Sequence, residues 1–157
     1  MFQLTTLLQN DIVIIEVSGA NQYLSVVWLK HPDSNEFKSI LRELPKLMDG
    51  KQIRFLISDS RKILYLDISS QNFLAQQFYP LLAREDTFTI AYVVSPASYD
   101  TMDIYRISDI MKETPGLRDR LETSIFLSQE DAQEWITEQS RQHRRLAQAS
   151  GTSIAGR

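Results

Sequence analysis

The residues with the most chemistry to offer are Ser58-Asp59-Ser60-Arg61, followed a few positions later by Asp67 and by Ser69-Ser70. Two carboxylates in one loop can divide acid and base roles when their surroundings separate their pKa values. Asp59 with Arg61 could equally orient a polar ligand or a partner's charge. The ordinary role of such residues is to cap turns and to pair with Arg61 or Lys62. Ser69 and Ser70 stand where a helix would begin, so a hydroxyl there would satisfy an amide left free by the first turn. As a phosphoacceptor, either serine would place about two negative charges at the positive end of that helix. Ser95, in Ser95-Pro96-Ala97-Ser98, closes another apolar run and joins Ser58, Asp59, Ser60 and Arg61 as a candidate partner or ligand loop.

The histidines, His31 and His143, have no second histidine or carboxylate at metal-ligand spacing, so no metal site is expected. Arg141, Arg144 and Arg145 around His143 suit the negative end of a helix as a solvated run, or an anionic surface. The aromatic residues Phe73, Phe78, Tyr79, Phe88, Tyr92, Tyr99 and Tyr105 fall at spacings that fill a core, and could instead wall a pocket for an apolar ligand. Tyr79 and Tyr99 are the least periodic of them and are the candidate pocket aromatics. No nucleophile triad or phosphate loop is present, and the chain has no cysteine, which removes disulfides, thiolate zinc sites and a cysteine nucleophile. Neither a catalytic constellation nor a cofactor is expected.

The elements that would position these residues follow from periodicity. Ile12-Val13-Ile14-Ile15-Glu16-Val17 and the run from Tyr23 to Leu29 read as an antiparallel hairpin. Asp33 or Ser34 then opens a helix carrying Phe37, Ile40, Leu41, Leu44 and Leu47, which Pro45 should bend or shorten. Gln52 to Ile57 is a buried strand ending at the Ser58–Arg61 cluster. A helix from Ser69 or Ser70 to Arg84 is expected to kink at Pro80, and Phe88 to Val94 is the next strand. A third helix runs from about Ser98 into Lys112, and Leu121 to Leu127 is an edge strand. The last helix opens with Ser128 as N-cap and buries Ala132, Trp135 and Ile136. The order β-β-α-β-α-β-α-β-α implies an α/β fold: a single five-stranded mixed, largely parallel sheet with an N-terminal β-hairpin and about four helices. Ligands and partners of such sheets use the loops beyond the carboxyl ends of the parallel strands.

At 157 residues and 43% hydrophobic content the chain suits one compact domain. A formal charge of -3 argues against nucleic acid as a partner. No apolar run reaches the roughly 20 residues that span a bilayer, so a cytoplasmic protein without a membrane span is expected. Ser140 to Arg157, rich in Arg, Gln, Ala, Ser and Gly, reads as frayed helix followed by disorder.

Several local patterns, taken in order, resemble the small bacterial STAS-like domains related to anti-sigma-factor antagonists. They are Trp28 ahead of Glu36-Phe37, Ser58-Asp59-Ser60-Arg61, Gln77-Phe78-Tyr79-Pro80, and Phe126-Leu127-Ser128 leading into Ala132 and Trp135-Ile136. The resemblance covers roughly residues 10–138, which makes 1–138 a single STAS-like domain and 139–157 a polar, Arg-containing C-terminal tail. It implies a non-enzymatic protein-interaction or regulatory module, with a protein partner or homodimer. A carrier of a small apolar or amphipathic ligand is the alternative, and an enzyme built on Asp59, Arg61 and Asp67 ranks last. In the family a serine at the start of the helix after the central strand is phosphorylated to switch partner binding. Ser69 or Ser70 lies at the matching place, with Gln71-Asn72 where relatives carry glycines.

Overall fold

Strands β2 (Val13–Ser18) and β3 (Tyr23–Trp28) form the antiparallel hairpin that their β-branched runs favour, in register from Val13 opposite Trp28 to Ser18 opposite Tyr23. A computed structural model describes residues 3–19, 23–84, 86–101 and 103–155. Within it β4 (Phe55–Asp59), β5 (Phe88–Val93) and β6 (Leu121–Phe126) add in parallel to β3, each beside the strand before it. A strand not expected from the pattern, β1 (Leu4–Gln9), pairs antiparallel with β2, so the mixed sheet has six strands rather than five, in the order β1-β2-β3-β4-β5-β6. Its side chains are mostly exposed and its register shifts between Thr6 and Leu8, which erases the clean alternation by which a strand is recognised. The Asn10 side chain closes the turn that joins it to β2, accepting from the amides of Ile12 at 2.8 Å and Val13 at 2.9 Å.

The helices also depart from the expected four, for identifiable reasons. Helix α1 (Ser34–Met48) opens with a capping box, Asp33 accepting from the Glu36 amide at 2.8 Å while Glu36 accepts from the Asp33 amide at 3.0 Å. It passes through Pro45 to Met48, because a proline in the last turn costs little more than one backbone bond. The second expected helix is divided into α2 (Ile68–Phe73), a π-helical turn at Leu74–Phe78 and α3 (Tyr79–Leu82). Pro80 explains the division, since it has no amide to donate and its ring crowds the carbonyl four residues back, which the wider π turn relieves. The third is broken into α4 (Pro96–Thr101) and α5 (Ile104–Met111) by Asp103 in the left-handed region, φ 47°, with the short α6 (Leu117–Arg120) after left-handed Gly116. Helix α7 (Gln129–Ala155) starts as expected, Ser128 Oγ accepting from the Asp131 amide at 3.1 Å, and continues through residue 138 to Ala155.

Two cores result. Leu24, Val26, Trp28, Leu56 and Ile90 face α1, α2, the π turn, α3 and α5, meeting Phe37, Leu44, Phe73, Phe78 and Ile107. The alternate strand positions Tyr23, Phe55, Ile57, Ala91 and Val93 meet Ala132 and Ile136 of α7 on the other face. No helix among the described residues is long and apolar enough to cross a membrane.

Replacing Asp33 by alanine removes half of the capping box and is expected to cost about 1 kcal/mol without changing the fold. A urea unfolding midpoint shifted at constant slope would show it.

Candidate functional site

The carboxyl end of β4 splits its polar residues between the two faces, because successive strand side chains point opposite ways. Ser58 and Ser60 turn toward the helices, buried with their Oγ atoms 3.0 Å apart, and line a void of about 30 Å3 with Trp28, Phe37, Leu66 and Tyr92. That is room for about one water molecule. Asp59 turns the other way and pairs in bidentate fashion with Arg61, Nε at 2.9 Å from Oδ1 and Nη2 at 2.6 Å from Oδ2. The Asp59 side chain is 9% exposed and that of Arg61 48%, so the charge of the pair that meets solvent is the cation. Its hydrogen bonds to Asp59, and then the carboxylate's charge, push the guanidinium further above its already high value.

Asp67 serves a different purpose. It is the N-cap of α2, a role expected for Ser69 or Ser70, and its Oδ1 accepts from the Ser70 amide at 2.7 Å. That bond holds its carboxyl below the usual carboxylate range. Asp59 and Asp67 thus take separate partners, Arg61 and the start of α2. The two serines also separate. Ser70 is 3% exposed with its Oγ 3.4 Å from Ser34 Oγ, whereas Ser69 is exposed and receives a hydrogen bond from Lys38 Nζ. Ser95 caps α4, its Oγ accepting from the Ser98 amide at 3.1 Å while Ser98 Oγ accepts from the Ser95 amide at 3.0 Å. His31 fastens the loop after β4, Nδ1 accepting from the Leu64 amide at 3.1 Å with the ring 4.6 Å from that of Tyr65. His143 sits edge-on to Phe55 at 6.0 Å, away from this end of the sheet.

The two aromatics singled out by their irregular spacing also part company. Tyr99 lies on the surface of α4, 49% exposed, and is not part of the cleft that Tyr79 borders. Tyr79, just after the π turn, is buried and its hydroxyl shares a hydrogen bond with that of Tyr92 on β5. The pair borders a cleft of about 370 Å3 between α5 and the edge strand β6, walled by Leu74, Ile107, Met111 and Ile125. Removal from water pushes the Tyr79 phenol up to about 12, and Tyr92 well above its ordinary value, first through burial and then through Tyr79. Sequence reasoning missed Arg106, which ties α5 to α2 by donating to Gln71 Oε1 and Asn72 Oδ1, both at 2.9 Å. An arginine three residues after a helix break carries no local signal of a partner some 35 positions earlier.

In the unfolded chain both phenols titrate near 10, whereas the fold holds their protons to higher pH. The unfolded state therefore releases protons first, and stability is lost as pH climbs from about 10 toward 12. Unfolding midpoints followed through tyrosinate absorbance should show this loss, flattened in the Tyr79→Phe/Tyr92→Phe chain. Ser69→Asp is expected to change stability by less than about 0.5 kcal/mol, whereas Ser70→Asp, which buries a charge, should cost on the order of 3 kcal/mol; paired thermal melts distinguish them. The chain matches no family model, no curated protein and no solved structure.

Proposed function

We propose that the chain is a non-enzymatic STAS-like interaction module whose protein partner, or second copy, docks on the loops at the carboxyl end of the parallel strands. The observation that carries this reading is where most of the exposed large apolar side chains fall. Leu29, Leu64, Tyr65, Ile68, Tyr99 and Leu127 belong to the segments that directly follow β3, β4, β5 or β6, whereas Leu4, Leu81, Tyr105 and Leu146 are scattered over β1, α3, α5 and α7. Covering a side chain such as Leu64 or Ile68 would contribute about 1.5–3 kcal/mol each, enough for a few of them to support a specific contact. Ser69 adjoins Ile68, so a phosphate there would set about two negative charges into an apolar patch and oppose docking. The alternative reading, a carrier of a small apolar or amphipathic ligand, is favoured by the cleft beside Tyr79 and Tyr92.

The two readings use different surfaces. The Leu64→Ser/Ile68→Ser chain alters only exposed positions and should fold normally by circular dichroism. Immobilised beside the native chain, it is expected to lose the retained partner, or in sedimentation to lose the dimer. Identical partners and identical subunit count for the two chains would sink the interaction reading.

A further inference from the structure

Two phenols carry two hydroxyl protons, and the mutual hydrogen bond of Tyr79 and Tyr92 consumes one of them. Whichever ring donates, the proton of the other needs an acceptor of its own, and a buried donor left without one costs about 1–3 kcal/mol. Tyr79 is 4% exposed and Tyr92 half-buried, so the acceptor of the spare proton lies in the cleft beside the pair or in the small void that Tyr92 also borders. Beside both rings lies the cleft of about 370 Å3, whose remaining interior walls are Leu74, Ile107, Met111, Leu121 and Ile125, with one half-buried hydroxyl, that of Ser108 on α5. Its polar lining, Arg118, Glu122 and Thr123, is exposed and marks the rim.

We propose that this cleft binds a small, uncharged, mostly apolar ligand with one acceptor oxygen, of the ketone or ester class, which takes the spare phenol proton. The inference rests on the carrier reading and narrows its ligand. The volume is at the lower end of the range for small-molecule sites, and a single polar contact in an apolar wall is how such sites orient their ligands. A carboxylate is a poor fit for the inner end, because no cation lines it and an ion withdrawn from water there would be uncompensated. At the rim the opposite charges of Arg118 and Glu122 favour neither sign of ligand.

Acetophenone and ethylbenzene share a ring and a similar size and differ by one carbonyl oxygen, which makes them the probes. Titrated calorimetrically into the native chain, acetophenone is expected to bind about fivefold more tightly, the equivalent of one net hydrogen bond. In the Tyr79→Phe/Tyr92→Phe chain the two affinities should become equal. Thr123→Trp, an exposed rim substitution that leaves the core untouched, should weaken both. Equal affinities on the native chain would overturn the proposal while leaving a carrier standing, and would direct the spare proton to the void beside Ser58 and Ser60. Unchanged binding in Thr123→Trp would place the probes elsewhere and overturn it as well. Failure of both probes to bind the native chain would remove the proposal and the carrier reading together.

Discussion

Burial of β4 and β5 on both faces is the constraint from which the rest of the structure follows. Parallel strands need crossover connections, and the helices in those connections cover one face of the sheet only. Leu56 and Ile90 are satisfied by that layer, whereas Phe55, Ile57, Ala91 and Val93 require a second one, which α7 supplies through Ala132 and Ile136. The same alternation sends Ser58 and Ser60 into the helical layer and Asp59 toward the other face, where Arg61 neutralises it. Four adjacent residues that look like one cluster in the sequence are therefore two unrelated environments back to back.

The carboxyl end of the sheet and the cleft beside β6 divide the molecule's chemistry between them. At the first, polar side chains are largely spent on local architecture: Asp33 and Asp67 cap helices, Ser95 and Ser98 satisfy each other, and His31 accepts a loop amide. What these loops leave over for an encounter is largely apolar, with the exposed Arg61 and Lys62 cations beside it. At the second, a largely apolar wall meets one pair of hydroxyls, with Ser108 beside it and Arg118, Glu122 and Thr123 at the rim. No cluster of potential metal ligands occurs among the described residues.

Much of the architecture was legible because it depends on local periodicity. The β2–β3 hairpin, the buried runs of β4 and β5, the edge position of β6 and the caps at Asp33 and Ser128 are written in residues a few positions apart. What was not legible depends on contacts or on phase. Strand β1 is exposed and interrupted, so its pattern is faint, although Asn10-Asp11 between two apolar runs was a turn signal. Pro80 announced a disturbance but not its form, a π turn instead of a simple kink. The fates of Ser69 and Ser70, identical neighbours, are decided by the approach of Lys38 and Ser34 from α1, and the meeting of Tyr79 with Tyr92 by the pairing of a helix with a strand. No short-range rule in the sequence encodes any of these.

The strands lie across the sheet in the same order as along the chain, and this has a consequence for how the protein comes into being. Every strand pairs with the one before it, so during synthesis each can dock as it emerges, with no closure longer than a single crossover to overcome. The helical layer is interleaved with the strands and is complete once α6 has been made. The opposite face is not. Phe55, Ile57, Ala91 and Val93 remain open to solvent until α7 has been synthesised. A chain arrested before residue 129 would present a half-covered sheet with an apolar face, a feature that invites aggregation, so the fold is most vulnerable in the interval between the making of β6 and the making of α7.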